Sequence, residues 1–275
     1  MRADIGAFGV WRMVSGITPE LAEQVEALGY GAIWLGGSPT GDLEAVEVVL
    51  DATERIPVAT GIVNMWREDA ATVAESYRRV SGRHAGRFLL GVGVGHREAT
   101  QEYHKPYDKM VDYLDRLDAA AVPQEDVVLA ALGPRALTLA AERTSGAHPY
   151  LTTPRHTDQA RLLIGRDPLL APEQKVVLET DATLARAIGR PVVSRYLTRI
   201  NYRSNLLREG WAESDLEAGG SDRLVDALVL HGTSEDIAAG LTAHLDAGAD
   251  HVAIQVLGDD PLDGYRQLSG VLIAV

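Results

Sequence analysis

The chain has 275 residues, 46% of them hydrophobic and 24% charged; this balance excludes a disordered, collagen-like or low-complexity polypeptide and leaves room for one α/β barrel. A formal charge of −13 makes the surface as a whole repel nucleic acid and anionic lipid, so an anionic ligand requires a locally basic pocket. With no cysteine there are no disulfides, no thiolate catalysis and no Cys-based iron–sulfur or zinc sites, which suits a reducing cytoplasm.

The opening residues are too glycine-interrupted for a signal peptide, and no stretch approaches the ~20 apolar residues that span a bilayer. A cytoplasmic protein with neither a nucleic-acid nor a membrane partner is expected. A first strand is predicted over 5–11. Thr18 and Pro19 then read as N-cap and first-turn proline of a helix with Leu21, Val25 and Leu28 on one apolar stripe and Gly29 closing it. The second strand, 32–37, runs into GGSPTG at 36–41. This is a near miss to the nucleophile elbow, with Thr40 where the last glycine belongs, so a serine hydrolase is discounted.

The third strand, 58–64, ends in Asn64, whose amide either faces a heterocycle or caps the following loop; Met65 and Trp66 come next. The fourth, 88–96, carries GVGVGH at 91–96. The dinucleotide fingerprint fails because His96 replaces its final glycine. Gly91 and Gly93 either admit a planar ring or fit a crowded barrel interior. His96 falls at the mouth of that strand, where barrel enzymes keep their chemistry, and is the acid or base candidate; a plain surface histidine is the alternative. The eight histidines show no metal-ligand spacing.

A helix over 107–121 buries Met110, Leu114 and Leu117. The fifth strand, 127–132, turns at Gly133 and Pro134 into a helix with Arg135 in its first turn, where the macrodipole disfavours a cation and a nearby anion would make sense of it. After the sixth strand, 147–152, the run LTTPRH sets Thr152, Thr153 and Arg155 at a helix start, an arrangement suited to phosphate. In the plainer alternative, Thr153 is only an N-cap. The seventh and eighth strands are placed at 175–180 and 251–257. Between them, about 182–232 reads as a helical insertion without a clear strand; its Arg195, Tyr196, Arg199, Tyr202 and Arg203 suit a lid, a dimer contact or plain packing. ALGYGAIWL at 27–35 and AGADHVAIQ at 247–255 echo each other as helix end, glycine and strand. Eight such modules predict a (β/α)8 TIM barrel as one domain over 1–275, in preference to an open Rossmann-like sheet.

The stretches LAEQVEALGYGAIWLGG, ATGIVNMWREDAATVAESYRRVSGRHAGRFLLGVGVGH, LAALGPRALTLAAERTSGAHPYLTTPRHT and HLDAGADHVAIQVL together resemble the bacterial luciferase-like superfamily, and more closely its branch of coenzyme F420-dependent oxidoreductases. The resemblance implies a barrel holding the deazaflavin ring at its C-terminal mouth. Gly61 and Ile62 match a frequent non-prolyl cis peptide, Asn64 a ring contact, and His96 a polar position beside the ring. Ala131, Leu132 and Gly133 match backbone contacts beneath the cofactor, and Thr152, Thr153 and Arg155 the phosphate-binding turn. Trp11 and Trp66 are expected to shape the substrate pocket, with rim packing as the alternative. One departure stands out: many relatives have Asp or His directly after the second strand, where this chain has Gly36, Gly37 and Ser38. The implied function is F420-dependent hydride transfer to or from a small organic substrate, with FMN-dependent monooxygenation or non-catalytic cofactor binding as alternatives. A homodimer is expected from the resemblance alone.

Overall fold

The computed structural model describes residues 3–96 and 105–273. Strands and helices alternate along the chain: β1 (Phe8–Met13), α1 (Pro19–Ala27), β2 (Ile33–Gly36), α2 (Glu44–Asp51), β3 (Val58–Gly61), β4 (Val63–Asn64), α3 (Ala70–Arg83) and β5 (Phe88–Gly93). They continue through α4 (Pro106–Ala119), β6 (Val127–Leu129), α5 (Pro134–Arg143), β7 (Gly146–Ala147), α6 (Pro154–Ile164), β8 (Leu169–Leu170) and β9 (Glu173–Val177). The rest are α7 (Ala182–Leu197), α8 (Ile200–Glu209), α9 (Asp222–Leu228), β10 (Val229–His231), α10 (Ser234–Asp246), β11 (Val252–Val256) and α11 (Pro261–Leu272). Thr18 caps α1 through its side chain, with Pro19 in the first turn.

The strands pair in the order β10-β9-β11-β1-β2-β3-β5-β6-β7-β8, with β4 continuing the third stave against β5. These pairings are all parallel, as crossover helices between successive strands require. Closure runs through one stave. β8 and β9 are two halves of a single run interrupted at Ala171 and Pro172. The Ala171 N–H donates to the Ala147 carbonyl (2.9 Å), while the Pro172 carbonyl accepts from the Ala253 N–H (2.9 Å), so this run joins β7 to β11. The result is the expected (β/α)8 barrel.

Three expectations are corrected. The seventh stave begins at Leu169 and ends at Val177 rather than running over 175–180. Pro168 and Pro172 made its first half look like a loop, yet a proline at a break between ladder segments removes no bond the sheet needs. The insertion also contains a strand: β10 pairs with Lys175–Val177 directly after α9, and three residues are too few to leave a periodic signal. The sixth stave is shorter than 147–152, because the chain leaves the ladder after Ala147.

Alternation along the staves sorts the core into two shells. Ile33 and Leu35 pack outward against the helices, whereas Trp34 between them joins Trp11, Ala59, Leu89, Val128 and Ala253 inside the barrel. Gly91 belongs to this crowded interior, since a methyl group there would sit 1.8 Å from the Thr60 carbonyl oxygen. Of the two readings of Gly91, crowding is the one the fold requires. The insertion helices form a third apolar cluster over one end, built on Val193, Leu197, Leu206, Leu224 and Leu228. Among the described residues no helix is long and apolar enough to cross a membrane.

Candidate active site

A cavity of about 420 Å³ opens at the C-terminal ends of the strands. Of the residues singled out from sequence, Trp11, Gly61, Ile62, Asn64, His96, Ala131, Leu132 and Gly133 line it together, although they are spread over more than a hundred positions. The Gly61–Ile62 peptide is cis. The floor is shaped by Trp11: its indole crosses both Gly36, where a methyl group would meet the ring at 2.0 Å, and Gly61, where one would meet Nε1 at 2.8 Å. The glycine-rich end of β2 is therefore the space that Trp11 occupies. Asn64 caps the loop and also stands at the cavity. Its Oδ1 accepts from the Trp66 N–H at 2.9 Å, which caps the turn, and the residue also lines the cavity.

Four residues fall elsewhere. Trp66 packs against the outer core under Lys109, whose Nζ is 5.5 Å from its ring, and does not line the cavity. It follows Asn64 by two residues, and the turn that Asn64 caps carries it to the other side. Thr152, Thr153 and Arg155 are also outside the lining. Thr153 caps α6 by accepting from the His156 N–H (3.3 Å) and donates its own proton to Glu209 Oε2 at 2.7 Å. A carboxylate against that hydroxyl opposes a phosphate in the same place. Arg155 is exposed. The turn instead supports the cavity from behind, because His156 Nε2 bonds the Leu132 carbonyl at 3.0 Å. Arg135 at the start of α5 lies 4.1 Å from the Tyr107 ring centroid, over an aromatic face.

Other lining residues went unassigned in the sequence. His148 lies just beyond β7, stacked on Trp34 at 4.1 Å between ring centroids and 13° between planes. Its Nδ1 donates to the Ala171 carbonyl at 2.6 Å, which leaves Nε2 as the unprotonated nitrogen. Burial pushes this imidazole down to about 4, so it is neutral near pH 7. Nε2 has no hydrogen-bond partner and, like the equally unpartnered Trp11 Nε1, abuts Gly61 on the cavity floor. The dipeptide HisPro at 148–149, at the end of a short buried run, was the only local signal for it. Tyr150, Tyr196, Tyr202 and Asn201 also line the cavity.

The charge of the lining is opposite to that of the chain. Its formally charged residues are Arg67 and Arg195, and no carboxylate joins them among the described residues. The locally basic pocket demanded by a net charge of −13 is present. Among the described residues, no group of three His, Asp or Glu side chains is placed to hold a metal ion.

Residues 16–251 match the family model described as luciferase-like monooxygenase. Among curated proteins none matches the chain by sequence. Solved structures similar to it include an F420-dependent secondary alcohol dehydrogenase in complex with an F420–acetone adduct, at TM-score 0.76 and 14% identity, covering 98% of each chain. The F420-dependent tetrahydromethanopterin reductase of Methanopyrus kandleri is similar at TM-score 0.72 and 14% identity, again over 98% of each chain. The oxygenating constituent of 3,6-diketocamphane monooxygenase from Pseudomonas putida, in complex with FMN, is similar at TM-score 0.66 and 15% identity, over 98% of this chain and 97% of that one. At these identities the likeness speaks for the fold.

Proposed function

The chain belongs to the luciferase-like monooxygenase family, and from that premise we propose that it is an oxidoreductase that uses coenzyme F420 to exchange hydride with a small organic substrate. The observation that carries this reading is the arginine-bearing, carboxylate-free cavity in an acidic protein, which favours an anionic ligand where the rest of the surface repels one. Two of the similar structures name F420. The residues present fit a planar heterocycle with a polar edge: small and aliphatic groups at Gly61, Ile62, Ala131 and Gly133 provide close approach, and two buried ring nitrogens on the floor lack partners.

Gly61, Ile62, Asn64 and Ala131–Gly133 would hold the ring, with Arg67 of the lining available to an anionic tail. When bound, the deazaflavin supplies a ring carbon that gives or takes hydride. Ile62, Val94, Met110 and Leu132 keep water from that region, which strengthens the electrostatic contacts made inside it. His96, its ring centroid 5.5 Å from that of Tyr202 and 5.8 Å from that of Tyr196, stands at the mouth as the group that takes or returns the substrate's proton on an imidazole nitrogen. The floor position of Trp11 supports the same placement.

FMN-dependent monooxygenation is the second reading, favoured by the family description and by the FMN complex among the similar structures. Equilibrium titration of the purified chain with each cofactor, followed by absorbance, separates the two. Saturable binding of F420 at least tenfold tighter than FMN is expected. The reverse order overturns the F420 assignment, and failure of both to bind overturns the redox reading.

A further inference from the structure

The junction of α7 and α8 carries chemistry that the reading above leaves unused. Arg195 and Tyr196 stand in the last turn of α7, Asn201 and Tyr202 in the first turn of α8, and all four line the cavity. The Tyr196 and Tyr202 ring centroids are 5.0 Å apart, with planes at 75°. Tyr150 is 5.2 Å from Tyr196, and Trp11 is 5.3 Å from Tyr150. With His96 against both Tyr196 and Tyr202, five rings from separate segments form one continuous aromatic wall. Two of the phenol hydroxyls are already engaged: Tyr150 donates to Gln255 Oε1 at 3.2 Å, and Tyr196 donates to the Tyr150 oxygen at 3.3 Å. What this wall offers a ligand is ring surface. Residues brought by the ends of β3 and β6 are by contrast small or aliphatic, and β4 adds the Asn64 amide.

Beside the rings stands an uncommitted cation. The Arg195 guanidinium makes no hydrogen bond or ion pair among the described residues, and Asn201, in the first turn of the next helix, lines the same cavity. An edge-accepting aromatic surface with a guanidinium and an amide at its border recognises a flat π system that ends in anionic oxygen. Aliphatic ligands gain only area from such a wall, and neutral ones gain only the weaker, uncharged hydrogen bond from Arg195.

We infer that the α7–α8 junction is a substrate wall for planar aromatic anions, aryl carboxylates or phenolates, with Tyr196 and Tyr202 selecting the ring and Arg195 the charge. This rests on the redox reading only for what happens to the ligand; the binding preference stands by itself.

The test is a fluorescence titration of the full-length protein with 2-naphthoate, 2-naphthamide and cyclohexanecarboxylate, with and without saturating F420. The expected result is saturable 2-naphthoate binding about tenfold tighter than either comparison compound, kept when F420 is present. Arg195→Gln, a change at an exposed side chain, should abolish the preference for carboxylate over amide and keep that for naphthyl over cyclohexyl. Tyr202→Leu should do the reverse. Equal affinities for the three compounds, or unchanged preferences in the Arg195 variant, overturn the inference, as does competition between 2-naphthoate and F420. If F420 fails to bind while the naphthoate preferences hold, the redox reading falls and this one stands; if F420 binds and the preferences are absent, only this one falls.

Discussion

Lys175 Nζ lies 2.8 Å from Glu173 Oε2, and neither side chain is exposed at all (0% for both). The two are neighbours on one face of β9 because they are two residues apart. Burial pulls the Lys175 ammonium down and pushes the Glu173 carboxyl up, and the attraction and hydrogen bond between the two oppose that pull. The ammonium also lies 3.8 Å from the centroid of the Tyr150 ring, so the pair sits directly behind the aromatic wall. Glu173 accepts the Leu151 N–H as well, at 3.2 Å.

Breaking this pair strands a charge in a water-free interior. Lys175→Met is expected to cost about 3–5 kcal/mol, read from urea denaturation at pH 7. Glu173→Gln combined with Lys175→Met should recover a large part of the loss, because no uncompensated charge is left. A double variant as unstable as the single one would show that the two groups do not act as an ionic unit.

Three buried imidazoles, His148, His244 and His251, are pushed down by burial from the usual 6.5 to about 4. The folded state therefore binds fewer protons than the unfolded state between those values. Their contribution is complete above about pH 6.5 and is lost as the pH falls toward 4, by up to about 1.4 kcal/mol per pH unit for each ring. Glu209 has the opposite sign: burial raises it from 4.5 to about 7, so folding favours its protonated form and its stabilising effect is lost as the pH rises toward 7. Three imidazoles outweigh one carboxyl, and the urea midpoint should drop on going from pH 7 to pH 5. The difference between Glu209→Gln and the parent should move in favour of the variant between pH 5 and pH 8. A difference independent of pH would mean that Glu209 titrates normally.

Arg155 and Arg67 divide the question of the cofactor's anionic tail. Arg67 is at the cavity and Arg155 is not. Arg155→Ala should leave F420 affinity within about twofold, whereas Arg67→Ala should weaken it about tenfold at low salt and less at high salt. The opposite pattern in the two dissociation constants would return the phosphate to the start of α6.

Much of the framework could be read from neighbouring residues. Alternation puts Trp34 inside and Ile33 and Leu35 outside, and Thr18 with Pro19 marks the start of α1, because pleat and capping depend on a few adjacent positions. LTTPRH was legible as a helix start for the same reason, while its use was not: only Glu209, 56 residues further on, shows that the Thr153 hydroxyl is already engaged. Gly91 admitted two explanations until Thr60, on the adjoining stave, supplied the crowding atom.

Periodicity and turn chemistry thus settle which segments are staves and which are helices, since those preferences arise from backbone sterics within a few residues. Which side chains meet is a matter of barrel closure and of the register between staves far apart in the chain. Of Asn64, His96 and Thr153, all expected around one cavity, only Asn64 and His96 line it, whereas His148, the loss of Trp66 from the lining, and the joining of Tyr150 to Tyr196 and Tyr202 emerged only when the ring of strands was complete.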